Sequence, residues 1–301
     1  MNNKITYKTI GERGGNIEIH FPTVRDWYSY ALNQDDKKLY DNVRRFIDDF
    51  NFSEHRSNNK WNGSVNGAQF RDQLAQFTAP DDLRLLVNKA NKLQLPPMST
   101  TVAEQNEQQI LMDESGFLCD MNSYYAGEEN CMLSIDETPI ERPLIWIACS
   151  FGGTSNIEPE QFNNRGIALI CAVHALERAG VSVGVLGYSY ARIGGGQGSI
   201  NQTVVVKNAG EPLDEITMIN MFARPCTLRG LGFAVRAAVT NDDEMGSSTD
   251  TPDSGLLNSY CGVPRAQIAK LPYSAMQVYN TPLKATEWTL EQIKKQTNVI
   301  I

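Results

Sequence analysis

Ser150, Thr154 and Ser155 follow directly on an apolar run, Leu144-Ile145-Trp146-Ile147-Ala148-Cys149, with only Phe151, Gly152 and Gly153 between them. Hydroxyls so placed can do one of two things. They can hold a polar ligand outside the carboxyl end of a strand, where open α/β sheets bind, or they can satisfy the backbone of their own loop. A hydrolase reading would take Cys149 or Ser150 as nucleophile and His174 as base. It needs G-x-S-x-G on a tight turn from strand to helix. The local string is Ala148-Cys149-Ser150-Phe151-Gly152, and a long polar loop precedes the next helix. The elbow is absent, and His174 stands mid-helix among apolar neighbours, where a hydrogen-bonded structural histidine is expected. No catalytic residue is assigned.

The remaining clusters are weaker. Gly194-Gly195-Gly196-Gln197-Gly198 carries neither the P-loop pattern nor a G-x-G-x-x-G that opens a helix, and a strand follows it, so it reads as a flexible connection. An EF-hand register started at Asn241 puts Met245 at the fifth position and Pro252 at the twelfth, where a bidentate glutamate belongs. His20 and His55 have no metal-ligand spacing with His174. Neither a metal nor a cofactor is expected. Arg229 and Arg236 are seven apart, which puts them on one helix face, with Arg224 nearby. That face would bind phosphate or an acidic partner, or carry salt bridges.

The elements that must position these groups centre on residues 143–193. The run from Leu144 is a buried strand introduced by Pro143. Gly166 to Ala179 is apolar at almost every position and stops at Gly180, so it is a helix covered on nearly all sides. Val181 to Tyr188 is a second strand. The three form a βαβ unit with parallel strands and a right-handed crossover.

Around this unit, Ile5 to Phe21 reads as a hairpin that joins or caps the sheet. Thr23 and Asp26 form a capping box for a short helix through Trp27 and Leu32. Further helices are expected at 35–50, 69–77 and from Pro80 to Leu93, and 99–115 reads as a linker or exposed helix. Gly116 to Met132 reads as irregular structure lying against the sheet. Helices are expected at 213–223 and 228–239, an acidic loop at 241–254, a last strand at 273–279, and a C-terminal helix capped by Thr286. The division that follows is a mainly helical N-terminal region, 1–140, and an α/β domain, 141–301.

Composition bounds the classes of function. The chain has 301 residues, 41% hydrophobic and 21% charged, with a formal charge of −8. It can bury a sizeable core. The excess acid opposes non-specific adhesion to nucleic acid or an anionic membrane. Six widely spaced cysteines, several inside apolar runs and none in a C-x-x-C pair, read as buried free thiols. No run reaches transmembrane length and Met1 to Thr6 lacks a signal-peptide core, so a cytoplasmic setting is expected.

Two resemblances extend this reading. The order of apolar strand, hydroxyl-rich loop, buried helix from Arg165-Gly166 to Gly180 and second strand resembles the opening of a von Willebrand A-type domain. The metal-binding version of that family places Asp-x-Ser-x-Ser at the first strand end. Here Ala148 stands at the aspartate, Ser150 at the first serine and Gly152 at the second. The resemblance implies the Rossmann-like fold, a mostly parallel sheet flanked by helices, without the metal, since a hard dication loses its main charged ligand. Over roughly Phe21 to Ser274, a second order of motifs is similar to an uncharacterised domain family common in tailed-phage genomes. It runs from Trp61-Asn62-Gly63 through Gly116-Phe117-Leu118-Cys119-Asp120, Gly127 to Met132 and Arg165-Gly166 to Arg224-Pro225-Cys226-Thr227-Leu228-Arg229-Gly230-Leu231-Gly232-Phe233. That similarity implies a phage origin and a host-cytoplasmic setting.

The expectation is therefore a non-enzymatic protein-binding or assembly module whose strand-end loops meet a phage or host protein. The A-type resemblance adds an AAA+ ATPase as one such partner, with no membrane involved. Its contact residues are expected to be Ser150, Phe151, Thr154, Ser155, Arg192, Arg224 and Arg229. One alternative is an enzyme or nucleotide-binding protein using the cleft near Ser150, with Cys149 and Arg192. Another is a nucleic-acid-associated factor using Arg224, Arg229 and Arg236.

Overall fold

Leu144–Ser150 (strand β6) is buried on both faces, which is why its sequence shows an unbroken apolar run and no alternation. In this computed structural model, the residues described are 6–9, 17–32, 76, 81, 84–85, 88, 110–135, 143–152, 157–193, 198–225, 227–232, 235–236, 239, 257, 260–271 and 278–297. Pro159–Arg178 forms the crossover helix, α3 here, and Ser182–Ile193 forms β7. The strands β6 and β7 pair in parallel from Leu144↔Ser182 to Ser150↔Tyr188, so the βαβ unit is present as expected. Pro159 suits the first turn of α3, where its missing N–H costs nothing. Gly180, at φ +83°, ends the helix, with the Val181 amide donating to Leu176 O at 3.0 Å.

Gly198–Lys207 (β8) returns antiparallel to β7 and is the strand expected to follow the glycine-rich connection. On its far side lies Ile17–Phe21 (β2), parallel to β8, which in turn pairs antiparallel with Thr6–Thr9 (β1). Ile268–Leu271 (β9) pairs in parallel with β6 on the opposite side. The result is a mixed six-stranded sheet, β1-β2-β8-β7-β6-β9, in which three of the five pairings are parallel. It is an α/β fold with helices packed on the sheet.

Register decides which side chains share a face. Ile145, Ile147 and Cys149 lie with Val183, Val185, Val204, Ile19 and Phe21 in the main core. That core is closed by α3, by Val24–Leu32 (α1, through Trp27), by Glu215–Phe222 (α4) and by Pro282–Gln296 (α5, through Ile293). The alternate residues Trp146, Ala148, Leu186 and Tyr188 face the other way and pack with Leu257, Cys261 and Ile268. Gly184 lies flat under Trp146, where an added Cβ would come within 2.6–2.7 Å of ring atoms.

The first helix opens as the capping box predicts: the Asp26 amide donates to Thr23 Oγ1 at 3.1 Å, and Thr23 Oγ1 to Asp26 Oδ2 at 2.7 Å. Because β2 and α1 contribute Ile19, Phe21 and Trp27 to the main core, residues 17–32 belong with the sheet and not to a separate N-terminal unit.

Three expectations need correction. Residues 110–135 form a second, three-stranded sheet and not irregular structure or a linker. Ile110–Asp113 (β3), Leu118–Cys119 (β4) and Met132–Ile135 (β5) run in the order β3-β5-β4, with Met121–Ala126 (α2) between β4 and β5. Of the strand expected at 273–279, residues 273–277 lie outside the described residues; the strand β9 precedes them. The last helix begins at Pro282 with Thr281 as its cap, while Thr286 lies inside it and donates to Pro282 O at 2.8 Å. Thr227–Gly232 takes a π-helical turn where a regular helix was expected. The helices expected at 35–50 and 69–77, Trp61, Cys226 and the acidic loop fall outside the described residues. Of the helix from Pro80, the described Asp81, Arg84, Leu85 and Asn88 are helical.

Candidate functional site

The end of β6 turns out to be a structural junction. Ser150 and Phe151 are buried, and Ser150 Oγ accepts the Gly152 amide at 3.2 Å. Phe151 packs tilted against Trp27, ring centroids 5.3 Å apart, inside the main core. A side chain with no exposed surface cannot meet a partner, so the expected contact role of Phe151 is corrected.

Arg165, fully buried on α3, explains why this loop is fixed. Its Nη1 donates to Ser150 O and Gly152 O, both at 2.9 Å, and its Nε and Nη2 donate to Phe222 O at 3.0 and 2.8 Å. One guanidinium thereby ties the end of β6 to the end of α4, its carbon 4.9 Å from the centre of the Phe162 ring. Burial lowers its pKa. Gly166 allows the helices to meet this closely, since a Cβ there would lie 2.6 Å from Ala223 Cβ.

The nucleophile reading also fails on burial. Desolvation pushes the Cys149 thiol up to about 12, far from the thiolate that attacks at neutral pH. His174 Nε2 lies 2.8 Å from Glu215 Oε1, the structural hydrogen bond expected of it. Arg224 and Arg236 are buried, and Arg236 donates to Ser189 Oγ, so neither belongs to a solvent-facing basic face. Thr154 and Ser155 lie outside the described residues. Arg192 is in β7, paired with Ser199, and Arg229 is in the π turn; their side chains are not described.

Two other places bring polar groups together. On β2, His20 Nδ1 lies 2.9 Å from Thr203 Oγ1, whose own hydrogen is donated to Ile19 O at 3.3 Å. The imidazole therefore carries its hydrogen on Nδ1. Its ring stacks on Tyr260 at 4.4 Å, and Tyr260 OH donates to Glu18 Oε2 at 3.5 Å. Burial lowers the pKa of His20 and, ahead of the nearby Glu18 carboxylate, raises that of Tyr260 to about 12. This strip fastens residues 260–261 onto the sheet and presents no nucleophile. A groove of about 330 Å³ runs between the start of α1 and the end of β8. Its polar walls are engaged internally: Lys207 Nζ with Glu177 Oε1 at 2.7 Å and Val183 O at 2.7 Å, Thr217 Oγ1 with Asp214 Oδ2 at 2.6 Å. Among the described residues, no group of three or more His, Cys, Asp or Glu is placed to hold a metal ion. No helix among them is long and apolar enough to cross a membrane.

The small sheet offers what the strand end does not. Its geometry is set locally. Asp120 caps α2, accepting the Ser123 amide at 3.3 Å and the Ser123 hydroxyl at 2.9 Å, and that hydroxyl leads in holding its carboxyl below the usual range. Gly127, at φ +80°, closes the helix, with the Glu128 amide donating to Ser123 O at 3.0 Å. Gly116 brings the preceding turn so near β5 that a Cβ would stand 2.1 Å from Leu133 O.

With this backbone fixed, the side chains point outward. Phe117 is 61% exposed, Leu118 56%, Tyr124 59% and Tyr125 79%, with Met112 and Met121 exposed beside them. The Tyr124 and Tyr125 rings meet edge to face at 5.8 Å. Single exposed apolar residues are ordinary, but six within fourteen positions give this short stretch far more water-exposed apolar surface than scattered single residues do. Sequence reasoning noticed these aromatics and assigned them to packing. The usable signal was the cap pair, Asp120 and Gly127, bracketing Met121 to Ala126, together with carboxylates threaded among the aromatics.

A family model described as a domain of unknown function, DUF7192, matches residues 4–272. The match takes in the N-terminal hairpin, the small sheet and the large sheet through β9. No curated protein and no solved structure matches the chain. On the strength of a match over most of its length, the chain belongs to the DUF7192 family.

Proposed function

We propose that this chain is a phage-encoded protein-binding or assembly module, without catalysis, built on an α/β frame related to von Willebrand A-type domains. The observation that carries the binding role is the exposed apolar surface of the small sheet, Phe117 to Tyr125 with Met112. Exposed Tyr, Phe and Met on a backbone held by its own caps supply contact area at little further cost in ordering. The relation to A-type domains is supported by the βαβ opening, while Ala148 and Gly152, standing where a metal site would need a carboxylate and a hydroxyl, argue against the metal. The contact surface is moved from the strand end to the small sheet, because Ser150, Phe151 and Arg224 are buried. The partner is a phage or host protein, with an AAA+ motor the class to try first. The cleft reading loses Cys149 and Ser150, and the nucleic-acid reading Arg224 and Arg236, to the same burial.

The test is affinity capture from infected cells with wild-type chain and with Phe117→Ser/Tyr125→Ser, both of which should fold alike because both side chains are largely exposed. A stoichiometric partner captured by the wild type and lost from the variant is expected. Identical partner sets would overturn the role of this surface.

A further inference from the structure

The small sheet is one-sided in charge as well as apolar. Residues 110–135 contain Asp113, Glu114, Asp120, Glu128 and Glu129 and no Lys or Arg, so 26 residues carry five of the chain's net eight negative charges. Asp113, Glu114, Glu128 and Glu129 are exposed, at the end of β3 and just beyond the end of α2. In the chain they bracket the exposed Phe117, Tyr124 and Tyr125, two before and two after. An aromatic centre with a single-signed rim selects its partner by charge, since like-signed surfaces repel on approach and opposite ones are steered together. A second copy of this chain would bring five carboxylates against five. An anionic membrane would be repelled in the same way.

Resting on the proposed binding role of this surface, we infer that the small sheet docks a basic, amphipathic segment of another protein. Apolar side chains of that segment sit on Phe117, Leu118, Tyr124 and Tyr125, while its Lys or Arg residues face Asp113, Glu114, Glu128 and Glu129. Arg is favoured where it can also stack on an exposed tyrosine ring.

The experiment uses the full chain and two synthetic helical peptides of identical Leu pattern, one with Lys and one with Glu on the polar face, followed by fluorescence anisotropy. The Lys peptide is expected to bind about tenfold or more tighter than the Glu peptide. Its affinity should fall several-fold between about 0.05 M and about 0.5 M salt as the charges are screened. In Glu128→Lys/Glu129→Lys the preference should shrink or reverse, and in Phe117→Ser/Tyr125→Ser both peptides should be lost. Equal binding of the two peptides, or a Lys preference untouched by charge reversal, overturns the basic partner while leaving the apolar docking surface standing. Binding indifferent to Phe117→Ser/Tyr125→Ser, or no binding of either peptide, overturns the inference. Dimerisation of the chain, or its adsorption to phosphatidylcholine vesicles, lost in the same variant, would assign the patch to self-association or to a lipid surface and overturn it too.

Discussion

At the scale of single residues, burial divides what the side chains can do from what their positions in sequence invite. Phe151 sits in a glycine-flanked stretch after a strand, and loops are normally surface; yet it fills the space above Gly187 and Gly232, whose missing side chains leave room for its ring. Arg165 was legible only as part of a motif. A sequence shows neither the three carbonyls that its guanidinium serves nor the convergence of β6 and α4 that supplies them. Replacing Arg165 with Ala would leave three buried acceptors unserved and a void beside Phe162. We expect a loss of about 3–5 kcal/mol in a urea titration. Arg165→Lys, which keeps a cation but cannot fork to three acceptors, should fall between. A loss below about 1 kcal/mol for the alanine variant would mean that the junction is not held by this side chain. Cys149 and Ser150 were readable as thiol and hydroxyl at a strand end, but not as groups already committed to their own backbone.

At the scale of elements, legibility follows the length of the pattern. The central βαβ unit was readable because β6 and α3 are long, apolar and ended by Pro143, Ser150 and Gly180, signals that agree with one another. The small sheet was not, because β4 is two residues long and shows no period, while its exposed aromatics imitate a core. Likewise β9, four residues including Lys270, is too short to show a period, but it has β6 to pair with. The crossing of α3 and α4 depends on Gly166. Gly166→Ala places a methyl group 2.6 Å from Ala223 Cβ and 3.1 Å from its backbone, which only a shift of α4 relieves. The expected cost is about 1–3 kcal/mol, read from the midpoint of thermal or denaturant unfolding. No change in midpoint would show that α4 moves freely at that contact.

At the scale of the whole molecule, two parts divide the labour. The six-stranded sheet and its helices bury the described side chains that the sequence offered as a strand-end site, Cys149, Ser150, Phe151 and Arg224. The small sheet does the reverse, exposing aromatics and carboxylates on a backbone fixed by Asp120, Gly127 and Gly116. The overall class, α/β with a net acidic surface, could be read from composition and periodicity, and the hairpin joined to the sheet could be anticipated from Ile5 to Phe21. Which surface stays open could not, because exposure depends on what the rest of the chain covers. The most direct test puts a photo-crosslinking phenylalanine analogue at Tyr125 on the small sheet and, separately, at Leu283, an exposed apolar position on α5. After irradiation in cells that produce the chain under the proposed phage infection, a single crosslinked protein at 125 with none at 283 is the predicted result. No adduct at 125, or the same adducts at both positions, would contradict a docking role for the small sheet.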